Sequence, residues 1–183
     1  MAGTAGGRRL TVPPKGTRPT SERVREALFS ALESVCDLDG ARVLDLYAGS
    51  GALGFEALSR GAGDVAFVES DRKAVEVLRG NAAALGLRGA TVLPGTVESV
   101  LAGTAAAPYD VILADPPYAV TNEGLTEVLR AVVAGGWLAP DGLLVLERGK
   151  RAGEPEWPAG LRLTRSRKYG DTILLWAETV QLD

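Results

Sequence analysis

The alternation of apolar and polar positions along the chain predicts its elements in order. Residues 22–35 read ERVREALFSALESV, and Val24, Leu28, Ala31, Leu32 and Val35 recur at helical spacing. Thr20 or Ser21 stands where an N-cap hydroxyl would meet the first free amides. After a turn at Asp37–Gly40 the period changes, and 41–47 (ARVLDLY) reads as a strand followed by a helix from about Ala52 to Arg60. Strand 64–70 (DVAFVES) leads to helix 71–86, which Gly86 ends. A short strand at ATVLPG and a short helix at VESVLAG come next. The apolar run in 109–118 (YDVILADPPY) predicts a buried strand entering a Pro-Pro loop. A helix near 123–134 and a strand at 142–148 follow, and LRLTRSRKYG with DTILLWAETV closes the chain as a hairpin.

Strands alternating with helices predict an α/β fold, a mostly parallel sheet with helices on both faces and an antiparallel C-terminal hairpin. Residues 1–40 form an N-terminal arm and helix, with the arm (1–19) rich in Gly, Pro and Arg and expected to carry little regular structure. Residues 41–183 form the main domain, and arm, helix and domain are read as one compact unit.

Composition narrows the chemistry. Apolar residues make up 46% of 183 residues, enough for a packed core. The chain has no histidine, which excludes Ser-His-Asp catalysis and histidine-ligated zinc. Its one cysteine, Cys36, excludes an internal disulfide, and no metal is expected. No apolar run approaches the roughly 20 residues that span a bilayer, and the N-terminus lacks the apolar core of a signal peptide. A cytoplasmic protein without a membrane partner is expected, acting as a monomer.

Charge changes the picture by its distribution. The total is −3, yet residues 1–25 carry net +5, from Arg8, Arg9, Lys15, Arg18, Arg23 and Arg25 against Glu22. Residues 148–168 also carry net +5. Two basic segments on an acidic body suit a phosphate-bearing partner if they form one surface; the plainer reading is two solvated faces.

Two motifs carry chemistry. The first, Asp45-Leu46-Tyr47-Ala48-Gly49-Ser50-Gly51-Ala52-Leu53-Gly54, lies between a predicted strand end and a helix start. Glycines let backbone approach a ligand there, and the helix offers free amides. Gly49, Gly51 and Gly54 also fit a dinucleotide fingerprint, with Glu69 following Gly49 by 20 residues. A NAD-binding oxidoreductase is therefore an alternative. Asp45 counts against it, since a carboxylate repels a pyrophosphate and suits an ammonium group. Glu69, with Ser70 beside it, stands where a carboxylate accepts from ribose hydroxyls. The second motif is Asp115-Pro116-Pro117-Tyr118, in which two prolines force the chain out of the sheet. It resembles the motif of methyltransferases that act on exocyclic amino groups. Asp115 and the Pro116 carbonyl offer two acceptors for the two N–H groups of such an amine, and Tyr118 offers a stacking ring. The plainer reading is a turn with a structural tyrosine.

With both motifs placed, the chain resembles the 16S rRNA guanine-N2 methyltransferase family. GGRRL, RPTSERVREALF, DLYAGSGALGFEALSRGA, DPPY and KYGDT carry the resemblance, from Gly6 to about Leu175. It implies a Rossmann-like class I methyltransferase fold with a seven-stranded sheet. S-adenosylmethionine is the implied cofactor, and the implied partner is 16S rRNA in an assembling or assembled small ribosomal subunit. Carried over by position, Asp45, Ala48, Gly49 and Gly51 line the methionine end of the cofactor, Glu69 and Ser70 the ribose, and Asp115 both cofactor and substrate. Asp115, Pro116 and Tyr118 form the amino-group site. Arg18 and Thr20 match positions where related enzymes close over cofactor and substrate, and the resemblance places Arg23 and Arg25 beside the cofactor cleft; from the basic cluster they form with Arg8 and Arg9, these six are the expected RNA contacts. Where relatives carry Asn or Asp in the third motif, this chain has Gly95-Thr96, so the adenine role falls to Thr96 or to a backbone group there. An adenine-N6 methyltransferase would share the second motif, although such enzymes usually carry a separate recognition domain.

Overall fold

A computed structural model describes residues 1–12 and 21–181. Five helices and seven strands follow one another as expected: α1 (Glu22–Val35), β1 (Arg42–Leu46), α2 (Ala52–Ser59), β2 (Asp64–Glu69), α3 (Arg72–Leu85), β3 (Ala90–Pro94), α4 (Val97–Leu101), β4 (Tyr109–Ala114), α5 (Asn122–Ala134), β5 (Leu138–Gly149), β6 (Leu161–Tyr169) and β7 (Thr172–Thr179). Short polar side chains start four of these five α-helices, and Gly51 precedes the other, α2. Ser21 accepts from the Val24 amide, Asp71 from Ala74, Thr96 from Ser99 and Thr121 from Gly124. Gly86 ends α3 at φ 61°, a left-handed position that suits glycine.

The strands form one sheet in the order β3-β2-β1-β4-β5-β7-β6. The first five run parallel, and β7 runs antiparallel to β5 and β6. This is the Rossmann-like class I methyltransferase arrangement, with its antiparallel closing hairpin. β5 begins at Leu138, earlier than the apolar run at 142–148 indicates.

The sheet's two faces are covered by two apolar layers. One joins α1, α2 and α3 through Phe29, Leu32, Phe55, Phe67 and Leu78, together with Leu174 and Trp176 of β7. The other joins α4 and α5 through Leu101, Leu125, Leu129, Ile112 and Leu144. Each such side chain stabilises the fold by about 1.5–3 kcal/mol relative to exposure. The edge strand β6 carries Arg162, Arg165, Arg167 and Lys168. Arg165 lies 5.7 Å from the Trp176 ring centroid and Arg162 reaches Glu178 at 4.0 Å. Charge on an edge strand discourages pairing with other chains, which is a structural account of this basic run.

The first residues depart from expectation. Gly3–Ala5 form a 3-10 turn, and Ala5 is 2% exposed. The Ala5 amide donates to Ser59 Oγ at 2.7 Å, and the Ala2 amide to Glu56 Oε1 at 3.1 Å. The reason lies in α2. Glu56 and Ser59 are buried on it, and buried polar groups recruit partners. Glu56 also pairs with Arg60 at 3.0 Å and with Arg25 of α1 at 3.6 Å. Among the described residues, no helix is long and apolar enough to cross a membrane.

Candidate active site

Strands β1 and β4 are neighbours in the sheet but far apart in sequence, and their connections leave in opposite directions. At such a switch point the loops beyond the strands' carboxyl ends part and leave a crevice. Asp45 pairs with Leu113 and Leu46 with Ala114, so the glycine loop and Asp115 leave adjacent strands at the same level.

The glycine loop is tied down at several points. Ala48 N–H donates to Val68 O at 2.9 Å, Gly51 N–H to Ala48 O at 2.8 Å, and Gly49 N–H to Glu69 Oε2 at 2.7 Å. Gly49 and Gly51 take φ of 57° and 87°, which glycine adopts at little cost. A Cβ on Gly51 would also lie 2.4 Å from the Phe55 ring. Glu69 accepts a second bond from the Asp71 amide at 2.9 Å, so its carboxylate is fixed at the end of β2. Ser70 is exposed beside it. Thr96 caps α4 by accepting from Ser99 N–H at 3.1 Å, with Gly95 N–H bonded to Glu69 O at 2.9 Å.

Asp45 lies under the loop, 1% exposed, and its Oδ2 accepts from Gly54 N–H at 2.9 Å. Burial pushes its carboxyl up to about 8; the Gly54 amide opposes this, and Asp115 and Glu69 add to it. Three carboxyl groups therefore converge on one crevice. This donor set fits a ligand carrying cationic sulfonium and ammonium groups, and it disfavours the pyrophosphate of a dinucleotide.

The Asp-Pro-Pro-Tyr loop closes the other side. Pro116 is buried, Asp115 half-buried, and Tyr118 is 71% exposed at the rim. A Cβ on Gly149 would lie 3.4 Å from the Tyr118 ring, so β5 ends beside it. Arg148, the preceding residue, is buried rather than part of a basic surface. It donates to Asn122 Oδ1 at 2.9 Å and bolts the end of β5 to the start of α5. Burial lowers its pKa, which the neighbouring Tyr47 partly offsets.

The family described as Conserved hypothetical protein 95 matches residues 1–178. This chain belongs to that family. Its relatives include the ribosomal RNA small subunit methyltransferase D of Escherichia coli (strain K12), 40% identical over 168 residues, covering 90% of this chain and 81% of the relative. The putative rRNA methyltransferase YlbH of Bacillus subtilis is 36% identical over 176 residues, covering 94% of each. Among solved structures, the putative methyltransferase YhhF from Escherichia coli superposes with TM-score 0.87 at 35% identity, over 100% of this chain and 97% of that one. The family resemblance read from the motifs is membership, and the expected S-adenosylmethionine cofactor stands with these methyltransferase relatives.

Within this Conserved hypothetical protein 95 member, the structure brings together Asp45, Ala48, Gly49, Gly51, Glu69, Ser70, Thr96, Asp115, Pro116 and Tyr118 at one edge of the sheet. The basic residues behave differently. Arg18 and Thr20 lie outside the described residues. Arg9 and Arg23 are exposed. Arg25 is held by Glu56, and Arg8 donates to Leu85 O at 2.8 Å, at the end of α3 opposite the cofactor loops. A guanidinium there satisfies a helix C-terminus. Sequence reasoning missed Asn81, a buried residue of α3 that bonds both the arm and the glycine loop. An isolated polar residue inside an amphipathic helix was the only available signal.

Proposed function

We propose that this protein transfers a methyl group from S-adenosylmethionine to the exocyclic N2 of a guanine in 16S rRNA, within an assembling or assembled small ribosomal subunit. One observation carries the reading: the Asp-Pro-Pro-Tyr loop leaves β4 level with the carboxylate-lined glycine loop on β1. The name of the Escherichia coli relative supports the RNA class.

The bound cofactor supplies an electrophilic methyl on its sulfonium. The chain prepares the acceptor. An exocyclic amino lone pair is delocalised into its ring and is a poor nucleophile. The Asp115 carboxylate and the Pro116 carbonyl accept hydrogen bonds from its two N–H groups and turn the lone pair out of conjugation, and the proton made surplus by the new N–C bond leaves through the Asp115 carboxylate. The prolines hold both acceptors in place beforehand, so little reorganisation remains for the transition state. Tyr118 stacks on the base, worth about 1–3 kcal/mol. Glu69 accepts from the ribose hydroxyls, and Thr96 marks the adenine end. Arg9 and Arg23, exposed on arm and helix, meet flanking phosphates, together with Arg18 and Thr20. Arg8 and Arg25 serve this surface by holding the arm and α1 in place.

The test uses labelled S-adenosylmethionine with small subunits from cells lacking the modification, and with free 16S rRNA. Label should map to guanine N2; label at adenine N6, or none, overturns the assignment. The arm's part is tested with Arg9→Ala/Arg23→Ala, which leaves Glu56 covered. Its log-log salt slope for subunit binding should fall by roughly 1.5, since each phosphate contributes about 0.7–0.9. Superimposable salt curves would remove these arginines from the RNA site.

A further inference from the structure

Asn81 is 5% exposed, and its amide is fully engaged. Oδ1 accepts from Thr11 N–H at 3.0 Å, while Nδ2 donates to Thr11 O at 3.0 Å and to Ser50 O at 2.9 Å. The first two bonds clamp the arm as a neighbouring strand would. The third holds the Ser50 carbonyl, between Gly49 and Gly51, and adds a tie from α3 to a loop otherwise fixed by β2 and its own turn. The arm is anchored first at the far end of the helices, through Ala5 on Ser59 and Arg8 on Leu85 O. It reaches Thr11 beside the cofactor loop, just before residues 13–20.

We propose that Asn81 is a positioning residue that couples the arm to the cofactor loop, so that arm placement sets cofactor affinity and bound cofactor in turn orders the arm for RNA. The proposal rests on the reading of the glycine loop as the cofactor site and of the arm as RNA-facing. Its physical basis is one buried amide shared by two segments. Displacing either segment leaves that amide partly unbonded, which weakens its hold on the other. By linkage the effect is reciprocal.

The test measures S-adenosylmethionine affinity by calorimetry without RNA. Asn81→Ala should weaken binding about tenfold, and Thr11→Pro, which removes the N–H that Asn81 Oδ1 accepts and fixes the backbone at that one arm residue, about threefold. The double variant should be no weaker than Asn81→Ala alone, within about twofold, because both changes break one linkage. At saturating cofactor, kcat should hold while KM for the cofactor rises, which a general loss of folding would not produce. Small subunits should tighten S-adenosylhomocysteine binding about fivefold in the wild type and not in Asn81→Ala. Unchanged affinity in Thr11→Pro, or strictly additive losses in the double variant, would overturn the coupling. Thr11→Pro lies on the arm, so it tests the coupling even if Asn81→Ala misfolds. Failure of the wild type to methylate small subunits would overturn the functional reading instead, leaving the RNA-free coupling standing.

Discussion

Asp45 gives the sharpest solution test of the site. Its carboxyl is 1% exposed and pushed up to about 8, chiefly by burial and then by Asp115 and Glu69. Without cofactor, Asp45 therefore holds its proton at pH 7 in roughly nine molecules of ten. A cationic cofactor favours the carboxylate, so binding should release up to one proton. The sign follows from the raised pKa of an acid: the charged form grows as pH rises toward about 8. Affinity should climb by up to about tenfold per pH unit between roughly pH 6 and 8. Above that the cofactor's own α-amino group, near 8, loses its charge and affinity declines. Asp45→Asn keeps an acceptor for Gly54 N–H and removes the titration. Its affinity should show no rise from pH 6 to 8 and should be weaker than wild type at pH 8. The same substitution should stabilise the cofactor-free protein. The unfolded carboxyl ionises from about 3.8 while the folded one keeps its proton to about 8, so wild type loses stability as pH rises between them. At pH 7 that loss is on the order of 4 kcal/mol as an upper bound. Calorimetry in two buffers of different ionisation heat reads the proton directly. Wild-type affinity independent of pH from 6 to 8, with no proton released, would refute the reasoning.

Other outcomes follow from the same geometry. Asp115→Ala should abolish turnover with a much smaller change in cofactor affinity; near-normal methylation would remove it from the amino-group site. Glu69→Ala should instead raise the cofactor dissociation constant, by about 1–3 kcal/mol, and an unchanged constant excludes the ribose role. Tyr118→Phe keeps the ring and should keep most activity, whereas Tyr118→Ala should lose it; equal losses would mean the hydroxyl matters and stacking does not. Gly51→Ala places a methyl 2.4 Å from the Phe55 ring and 2.5 Å from Leu78 at a φ of 87°, so thermal melting should show a loss of about 2–4 kcal/mol. A melting curve equal to wild type would show that the loop has room to shift.

The sequence by itself determined what local physics controls. Apolar spacing and capping hydroxyls set α1, and Gly86 set the end of α3, because these depend on neighbours within a few residues. The two prolines after Ala114 had to end β4, whatever lay beside it. The closing hairpin was legible for the same reason, as two strand-period runs joined by a Tyr-Gly-Asp turn. Tertiary structure decided which charges are free. In sequence, Arg8, Arg25 and Arg148 look like members of two basic surfaces. In the fold Arg8 satisfies the end of α3, Arg25 meets a buried Glu56, and Arg148 bolts β5 to Asn122. Glu56 itself reads as an ordinary helix acid, and only its burial on α2 made it recruit the chain's first residues. Asn81 was invisible for the same cause: its partners lie 70 and 31 residues away, at Thr11 and Ser50. A side chain's charge and hydrogen-bonding capacity are written in sequence. Which partner meets them depends on segments that only folding brings within reach, and the cost of leaving a buried group unpaired then selects that partner.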